Sequence, residues 1–334
     1  MKPKVSIVIT IYNREMYIEK CVRSLFEQTL QEIEYIFIDD ASTDCSIERL
    51  KNIIELFPHR KSRIKVIQFK KNMGVSYARR IGMDNVEGEF VIHADSDDWV
   101  DRDMYEKLYN RAKDTGADIV GCNICHEYPN NSTISHQKYA ESIKENISRL
   151  IIGEIHPSLC TSLTKTELIT QNNIIFPEGL NMGEDLYYNL QIYLHAHKII
   201  GIDFAPYHYR HSLYSSSFHH TRETIESGIM IGFKIEELMK SHHRYKEYAK
   251  EIAYRKFSMK LSLVINFDNL DNYHYWLKVA PETHQYIWTF KQINWKLRLE
   301  LWFAAHHMFF FAKLIKKTLE WQYKFKNLLK TTKL

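Results

Sequence analysis

The run Phe90-Val91-Ile92-His93-Ala94-Asp95-Ser96-Asp97-Asp98 ends a short apolar stretch with three carboxylates in four residues. Side chains alternate faces along a strand, so carboxylates two apart at a strand end point the same way. A hard divalent cation held by one or two carboxylates can share its remaining positions with substrate phosphates. Asp95 and Asp97 are therefore candidate ligands for Mg²⁺ or Mn²⁺, with Ser96 between them. A second acidic pair, Asp39-Asp40, follows the apolar run Tyr35–Ile38, and a third, Glu184-Asp185, opens a helical pattern through Leu186, Leu190 and Leu194. A carboxylate at such a place can act as a general base, or it can simply favour a helix N-terminus.

Positioning these groups requires a scaffold, and the first 125 or so residues supply one. Apolar, β-branched stretches at Val5–Thr10, Tyr35–Ile38, Ile64–Phe69, Phe90–Ala94 and Asp118–Cys122 read as strands. Helical spacing separates them at Met16–Gln28, after Ser42-Thr43-Asp44, after Asn72-Met73-Gly74, and at Met104–Thr115, with Asn13 a candidate cap for the first helix. Strands alternating with single helices predict right-handed crossovers and a doubly wound, mostly parallel sheet. Ligands of such sheets bind beyond the carboxyl ends of the strands, where both Asp39-Asp40 and the Asp95 run fall. Pro129 to His136 reads as a loop, Ser142–Ile152 and Lys165–Gln171 as short helices, and Lys198–Phe204 as a strand leading to Tyr207-His208-Tyr209-Arg210. Beyond about residue 220 the pattern is wholly helical, which places a boundary near residue 215, with 1–215 one domain and 216–334 a helical C-terminal region.

In order, Val5-Ser6-Ile7-Val8-Ile9-Thr10-Ile11-Tyr12-Asn13, Ile38-Asp39-Asp40-Ala41-Ser42-Thr43-Asp44, Asn72-Met73-Gly74 through Arg79 to Gly82, Ala94-Asp95-Ser96-Asp97-Asp98-Trp99 and Gly183-Glu184-Asp185-Leu186 resemble the family-2 glycosyltransferases of the GT-A fold. The likeness covers about residues 1–215. It implies an inverting transferase with a nucleotide-diphospho-sugar donor, UDP-linked in most of the family, and Mn²⁺ or Mg²⁺. Carried over by position, Asp40 would bond the base with Asp39 beside it, and Ile11, Tyr12 and Asn13 would cradle the nucleoside. Arg79 would face the nucleotide or its phosphates. Asp95 would lie near ribose and metal, Asp97 would bind the metal, and Asp185 would be the general base with Glu184 its neighbour. Arg210, and less so His208, would belong to a loop closing over the diphosphate. Asp44 and Asp98 read as caps. The acceptor would be a hydroxyl of a saccharide or lipid-linked saccharide in cell-surface polysaccharide synthesis. Departures are His93-Ala94 in place of bulkier apolar residues, Ile11 where a Pro is common, and Ser158–Thr161 without the expected Trp and Lys.

Rival chemistries fit less well. A haloacid-dehalogenase phosphohydrolase also carries Asp-x-Asp, but Asp98-Trp99 replaces its usual fourth position. No G-x-G-x-x-G is present for a dinucleotide dehydrogenase. A catalytically silent sugar-nucleotide-binding scaffold would have no use for Asp97 and Asp185. The motif Cys122-Asn-Ile-Cys125-His126 matches the haem-attachment spelling, but its surroundings read as a buried strand.

The chain has 334 residues and a net charge of +4. Tyr286–Leu334 alone holds ten Lys/Arg and two Glu, leaving the body mildly acidic. No secretory signal and no run of about eighteen apolar residues is visible, and five cysteines suggest reduced thiols; the expected location is cytoplasmic, peripheral on the inner face of the cell membrane. The tail mixes basic residues with Trp295, Trp302, Phe303, Phe309, Phe310, Phe311, Trp321 and Phe325, a composition that suits a helix lying in an anionic membrane surface; the alternative is a helix packed on the catalytic domain or on a second subunit. No nucleic-acid motif is present, and the sequence does not fix an oligomeric state.

Overall fold

A computed structural model describes residues 2–177, 182–211, 222–266 and 269–318. The chain forms two compact units, Met1–His219 and His220–Leu334; the expected boundary at residue 215 lies outside the described residues.

In the first unit, strands β1 (Val5–Ile11), β2 (Ile33–Asp39) and β3 (Ile64–Gln68) alternate with helices α1 (Ile18–Phe26), α2 (Ser46–Leu56) and α3 (Val75–Met83). Then follow β4 (Phe90–Asp95), β5 (Trp99–Val100), α4 (Met104–Thr115), β6 (Ile119–Gly121), β7 (Ile124–Glu127), β8 (Ser132–Ser135), α5 (Ile143–Ile152), β9 (Ser162–Lys165), α6 (Thr166–Gln171), α7 (Glu184–His195), β10 (Ile199–Gly201) and β11 (Tyr207–Arg210). Seven strands make one sheet in the order β10-β6-β9-β4-β1-β2-β3. It is mostly parallel, as expected; β9 runs antiparallel to both β4 and β6. β1 is buried almost throughout because helices cover both faces, which explains its near-continuous apolar run.

From β1 the chain winds outward to β2 and β3, then crosses back so that β4 lies on the other side of β1. The winding direction reverses between β1 and β4. A crevice opens at such a switch point, and here it opens beside Ile11 and Asp95, the last residues of those two strands. Helix α3 packs flush on this part of the sheet: a Cβ on Gly82 would come within 2.3 Å of Val8 Cγ1. Arg60, fully buried, donates to the carbonyls of Phe26, Gln28, Leu30 and Gln31. It thereby satisfies carbonyls at and beyond the end of α1 that have no helical partner.

A second sheet has the order β5-β11-β7-β8. β11 is parallel to β7 and antiparallel to β5. None of its four strands was expected. Ser132–Ser135 reads as a loop because it is short and polar, yet it pairs as an edge with β7. Tyr207–Arg210 likewise lacks apolar alternation, since both of its faces carry polar contacts. Cys122 lies past the end of β6, not within a strand, and all five cysteines are free thiols. Asn13 does not cap α1. That helix starts at Ile18 behind Tyr17 without a side-chain cap, and Asn13 Oδ1 accepts instead from Thr43 N–H at 2.9 Å.

The second unit is helical: α8 (Arg222–Ser241), α9 (Tyr245–Lys260), α10 (Leu270–Lys278), α11 (Trp295–Ala305) and a helical segment over 309–318. The aromatic tail is broken, with His307 at φ 60° between two helical pieces. Leu301 is buried in this unit's own core, and Leu297, Trp302, Phe303 and Phe309 pack against it. Trp295, Phe310, Phe311 and Leu314 are exposed. Leu319, Trp321 and Phe325 lie outside the described residues. Among the described residues, no helix is long and apolar enough to cross a membrane.

Candidate active site

The crevice at the switch point is a cleft of about 570 Å³. Ile11 and Tyr12 reach it from the end of β1, and Asp40 with Asn72, Gly74 and Val75 lines the same end. Asp95, Ser96 and Asp97 lie along its floor, and Arg79, Glu184 and Asp185 meet there from α3 and α7. Arg210 lines it too, beside Tyr207 and Tyr209. Thus the three acidic clusters, far apart in sequence, face one cavity.

Asn13 and Asp39 are not part of the lining. Asp39 is buried and accepts from Ser42 N–H (2.9 Å) and Gln68 Nε2 (3.0 Å). Asp40 accepts from the N–H groups of Met73 (2.6 Å) and Gly74 (2.9 Å), one on each oxygen. It therefore fixes the 72–74 turn, where Gly74 has φ 87°, a conformation that suits glycine. Each oxygen keeps a further lone pair, and the residue lines the cleft.

Arg79 is the centre of the site. Its guanidinium is buried and donates to Asp95 Oδ1 (3.3 Å), to Glu184 Oε1 (3.2 Å) and to Asp185 Oδ1. Burial works against its charge, but Asp185, Asp95 and Glu184 together raise its proton affinity, so it stays cationic. Asp185 is pushed up to about 7: burial is the largest cause, Glu184 and Asp95 add repulsion, and Arg79 opposes them. A carboxylate with a pKa near neutrality is matched to a general base's task.

Asp97 pairs with Arg14 Nε at 3.4 Å. Burial, then the nearby Asp95 charge, raises its pKa, and Arg14 and Arg210 counter this. Asp98 is buried and accepts from Tyr207 Oη (2.7 Å) and Arg210 N–H (2.8 Å), so it ties β11 to the end of β4 instead of capping its own turn. The Arg210 guanidinium donates to Asp97 O at 3.0 Å and lies over the rings of Tyr17 and Trp99. The crowded carboxylates fit a divalent cation. Asp95 and Asp97 offer hard oxygen donors into an open cleft, each partnered at more than 3 Å by a single arginine, and their mutual repulsion is what a cation between them would relieve.

Further residues line the cleft without a motif of their own to mark them. Arg14 directly follows the Tyr12-Asn13 pair and was within reach. Tyr207, Tyr209, His126, His156, Ser158 and His211 also line the cleft. They come from β7, β11 and the segment before β9, with no spacing signal to join them. Burial lowers the pKa of all three imidazoles, and a neighbouring histidine adds to this for His126 and His156.

The doubly wound sheet with a carboxylate-lined crevice at its switch point has the GT-A fold, as its likeness to solved structures shows. Staphylococcus aureus TarS 1-349, solved in complex with UDP-GlcNAc, matches with a TM-score of 0.69 at 22% identity, over 96% of this chain and 92% of that one. The mannosyltransferase PcManGT from Pyrobaculum calidifontis, in complex with GDP-Man and Mn²⁺, matches at 0.53 and 15% identity, over 94% of this chain and 81% of that one. Residues 6–168 match Glycosyl transferase family 2. EpsH of Bacillus subtilis, which carries a glycosyltransferase name, is 30% identical over 258 residues, 75% of this chain and 73% of that protein. The protein belongs to glycosyltransferase family 2 and is a glycosyltransferase.

Proposed function

We propose that the protein moves a sugar from a UDP-linked donor to a hydroxyl of a saccharide or lipid-linked saccharide, with inversion, in building a cell-surface polysaccharide. The observation that carries this reading is the Arg79 hub, which joins the candidate metal carboxylate Asp95 to the candidate base Asp185 within one cleft. The TarS complexes with UDP-GlcNAc and UDP support the choice of nucleotide, and PcManGT, whose complex holds GDP-Man, is the more distant match.

In this reading the nucleoside sits against Ile11, Tyr12 and the Asp40-held turn, with Asn13 and Asp39 shaping that wall from behind. The diphosphate lies over Asp95, Ser96 and Asp97, where Arg14 and Arg210 can face its charge. Asp97 with Asp95 would hold Mn²⁺ or Mg²⁺, which supplies charge neutralisation to the departing diphosphate. The acceptor hydroxyl gives its proton to Asp185 as its oxygen bonds the anomeric carbon. The bond from that carbon to the diphosphate oxygen breaks, and the nucleoside diphosphate leaves with the electron pair. Arg79 orients Asp185 and keeps a share of it ionised; Glu184 tunes it from beside. General-base action of this kind is worth about 10²–10⁴-fold in rate.

A single displacement from an α-linked donor gives a β-linked product. NMR of the anomeric proton in the product tests this: a β linkage is expected, and retention of the α configuration would refute it. Screening nucleotide-sugars with Mn²⁺ by thermal shift identifies the donor, since a ligand at a hundred times its Kd stabilises by about 2.7 kcal/mol. We also place the helical unit at an anionic membrane surface, on the exposed Trp295, Phe310, Phe311 and Leu314 with basic residues among them.

A further inference from the structure

The small sheet carries a second group of ligating side chains, separate from Asp95 and Asp97. Cys125 and Glu127 are two apart on β7 and so share a face. His208 is the register partner of Cys125 on the adjacent parallel strand β11. The Cys125 Sγ, one Glu127 carboxylate oxygen and one His208 ring nitrogen all lie within 4.8 Å of one another. Sγ is 3.5 Å from Glu127 Oε1, which is 2.7 Å from His208 Nδ1. A tetrahedral zinc ion at its usual bond lengths holds sulfur and oxygen ligands about 3.6 Å apart. The sulfur–oxygen pair already has that spacing, and the oxygen–nitrogen pair must open by about 0.6 Å to reach its tetrahedral separation.

The imidazole is also set up as a ligand. Its other nitrogen, Nε2, lies 3.1 Å from Asp101 Oδ1. A carboxylate on the far nitrogen is what fixes the tautomer and direction of metal-binding histidines. The ring is held further by stacking on Trp99, centroids 5.2 Å apart. Cys125 is buried and has no disulfide partner.

We propose that Cys125, Glu127 and His208 bind a borderline-soft divalent cation of the zinc class, with the fourth position left to water. A thiolate and an imidazole select against Mg²⁺ and Mn²⁺, whose natural donors are oxygens, so the site is chemically distinct from the oxygen donors of the cleft. Binding displaces the thiol proton to solvent as the sulfur–metal bond forms. The ion ties β7 to β11, the strand that delivers Tyr207, Tyr209 and Arg210 to the cleft. The competing arrangement is a protonated His208 shared between Glu127 and Asp101 with no metal.

The test uses the full chain, stripped by chelator and titrated with Co²⁺ as the spectroscopic probe. One equivalent is expected to bind with a thiolate-to-cobalt charge-transfer band in the near-ultraviolet, displaced by Zn²⁺ and not by Mg²⁺. Cys125→Ser and His208→Gln should each abolish the band, and Asp101→Asn should weaken Zn²⁺ binding about 10–100-fold. Cys45→Ser, which removes the exposed thiol, and Asp97→Asn should leave the band intact. Absence of the band in the unaltered chain, or its survival in His208→Gln, would overturn the proposal. Circular dichroism of each variant confirms folding, and should Cys125→Ser fail to fold, His208→Gln decides alone.

Discussion

Arg79 donates to Asp185 from a buried position on α3, and the same guanidinium reaches Asp95 at the end of β4. One cation thus sets both the orientation of the candidate base and the charge beside the candidate metal ligands. Removing it should do two things at once. In Arg79→Met the Asp185 carboxyl loses the partner that holds its pKa down, so it is protonated over a wider pH range. Turnover at pH 7 should fall about 10–100-fold, the size of effect a neighbouring arginine has on a carboxylate's ionisation. The acid limb of the pH–rate profile should move to higher pH, so part of the loss returns in alkaline buffer. A uniform loss at every pH would deny Arg79 this tuning role. Arg79→Lys keeps the charge but not the three-way fork and should fall between.

The unaltered enzyme should lose activity as pH falls through about 7. Burial and repulsion raise Asp185 to that value, and only an ionised carboxylate can serve as the proposed base. The sign is fixed by the chemistry: below the raised pKa the base is occupied. Asp185→Asn should lower kcat by about 10²–10⁴-fold and flatten this limb. A profile unchanged in Asp185→Asn would assign the limb to another group.

How far the sequence anticipated this geometry depends on how local each relationship is. Asp95, Asp97 and Asp185 were legible because each sits at a strand or helix end with its own flanking pattern. Strands β1, β2 and β4 were legible because burial on both faces leaves largely apolar runs; the edge strand β3 is half-exposed and was legible only from its β-branched residues. The Arg79 hub was half legible: its motif pointed to a functional arginine, but only the crossing of α3 and α7 shows that its donors are taken by three carboxylates. Asp40 shows the same limit, since the partners of its carboxylate are N–H groups 33 and 34 residues away. The strands β8 and β11 and the reversed β9 were hidden because short, polar edge segments lack alternation. The histidines at the cleft come from separate strands and leave no periodic trace.

Stability rests in part on a residue with no catalytic role. Arg60 satisfies four carbonyls at and beyond the end of α1. Arg60→Met should destabilise the first unit by on the order of 3 kcal/mol, because the carbonyls stay buried without donors. Chemical denaturation should show the loss, with kcat of the folded enzyme unchanged. A denaturation midpoint matching that of the unaltered chain would mean water replaces the guanidinium.

The membrane placement makes its own prediction. Replacing Phe310, Phe311 and Leu314 by Ser should strongly reduce co-sedimentation with anionic vesicles, and raising the salt should weaken what remains. Phe311 also stacks on Phe303, so circular dichroism must show the variant folded. Equal sedimentation of variant and parent would remove the membrane from the account.

The account as a whole rests on the cleft carboxylates gripping a cation that holds the donor's diphosphate. Calorimetric titration of UDP, with and without Mn²⁺, against the unaltered chain and Asp97→Asn tests it most directly. Mn²⁺ should tighten UDP binding to the unaltered chain at least about tenfold, about 1.4 kcal/mol, and should have no effect on the variant. Tight UDP binding that ignores Mn²⁺, or an equal response to Mn²⁺ in Asp97→Asn, would contradict it.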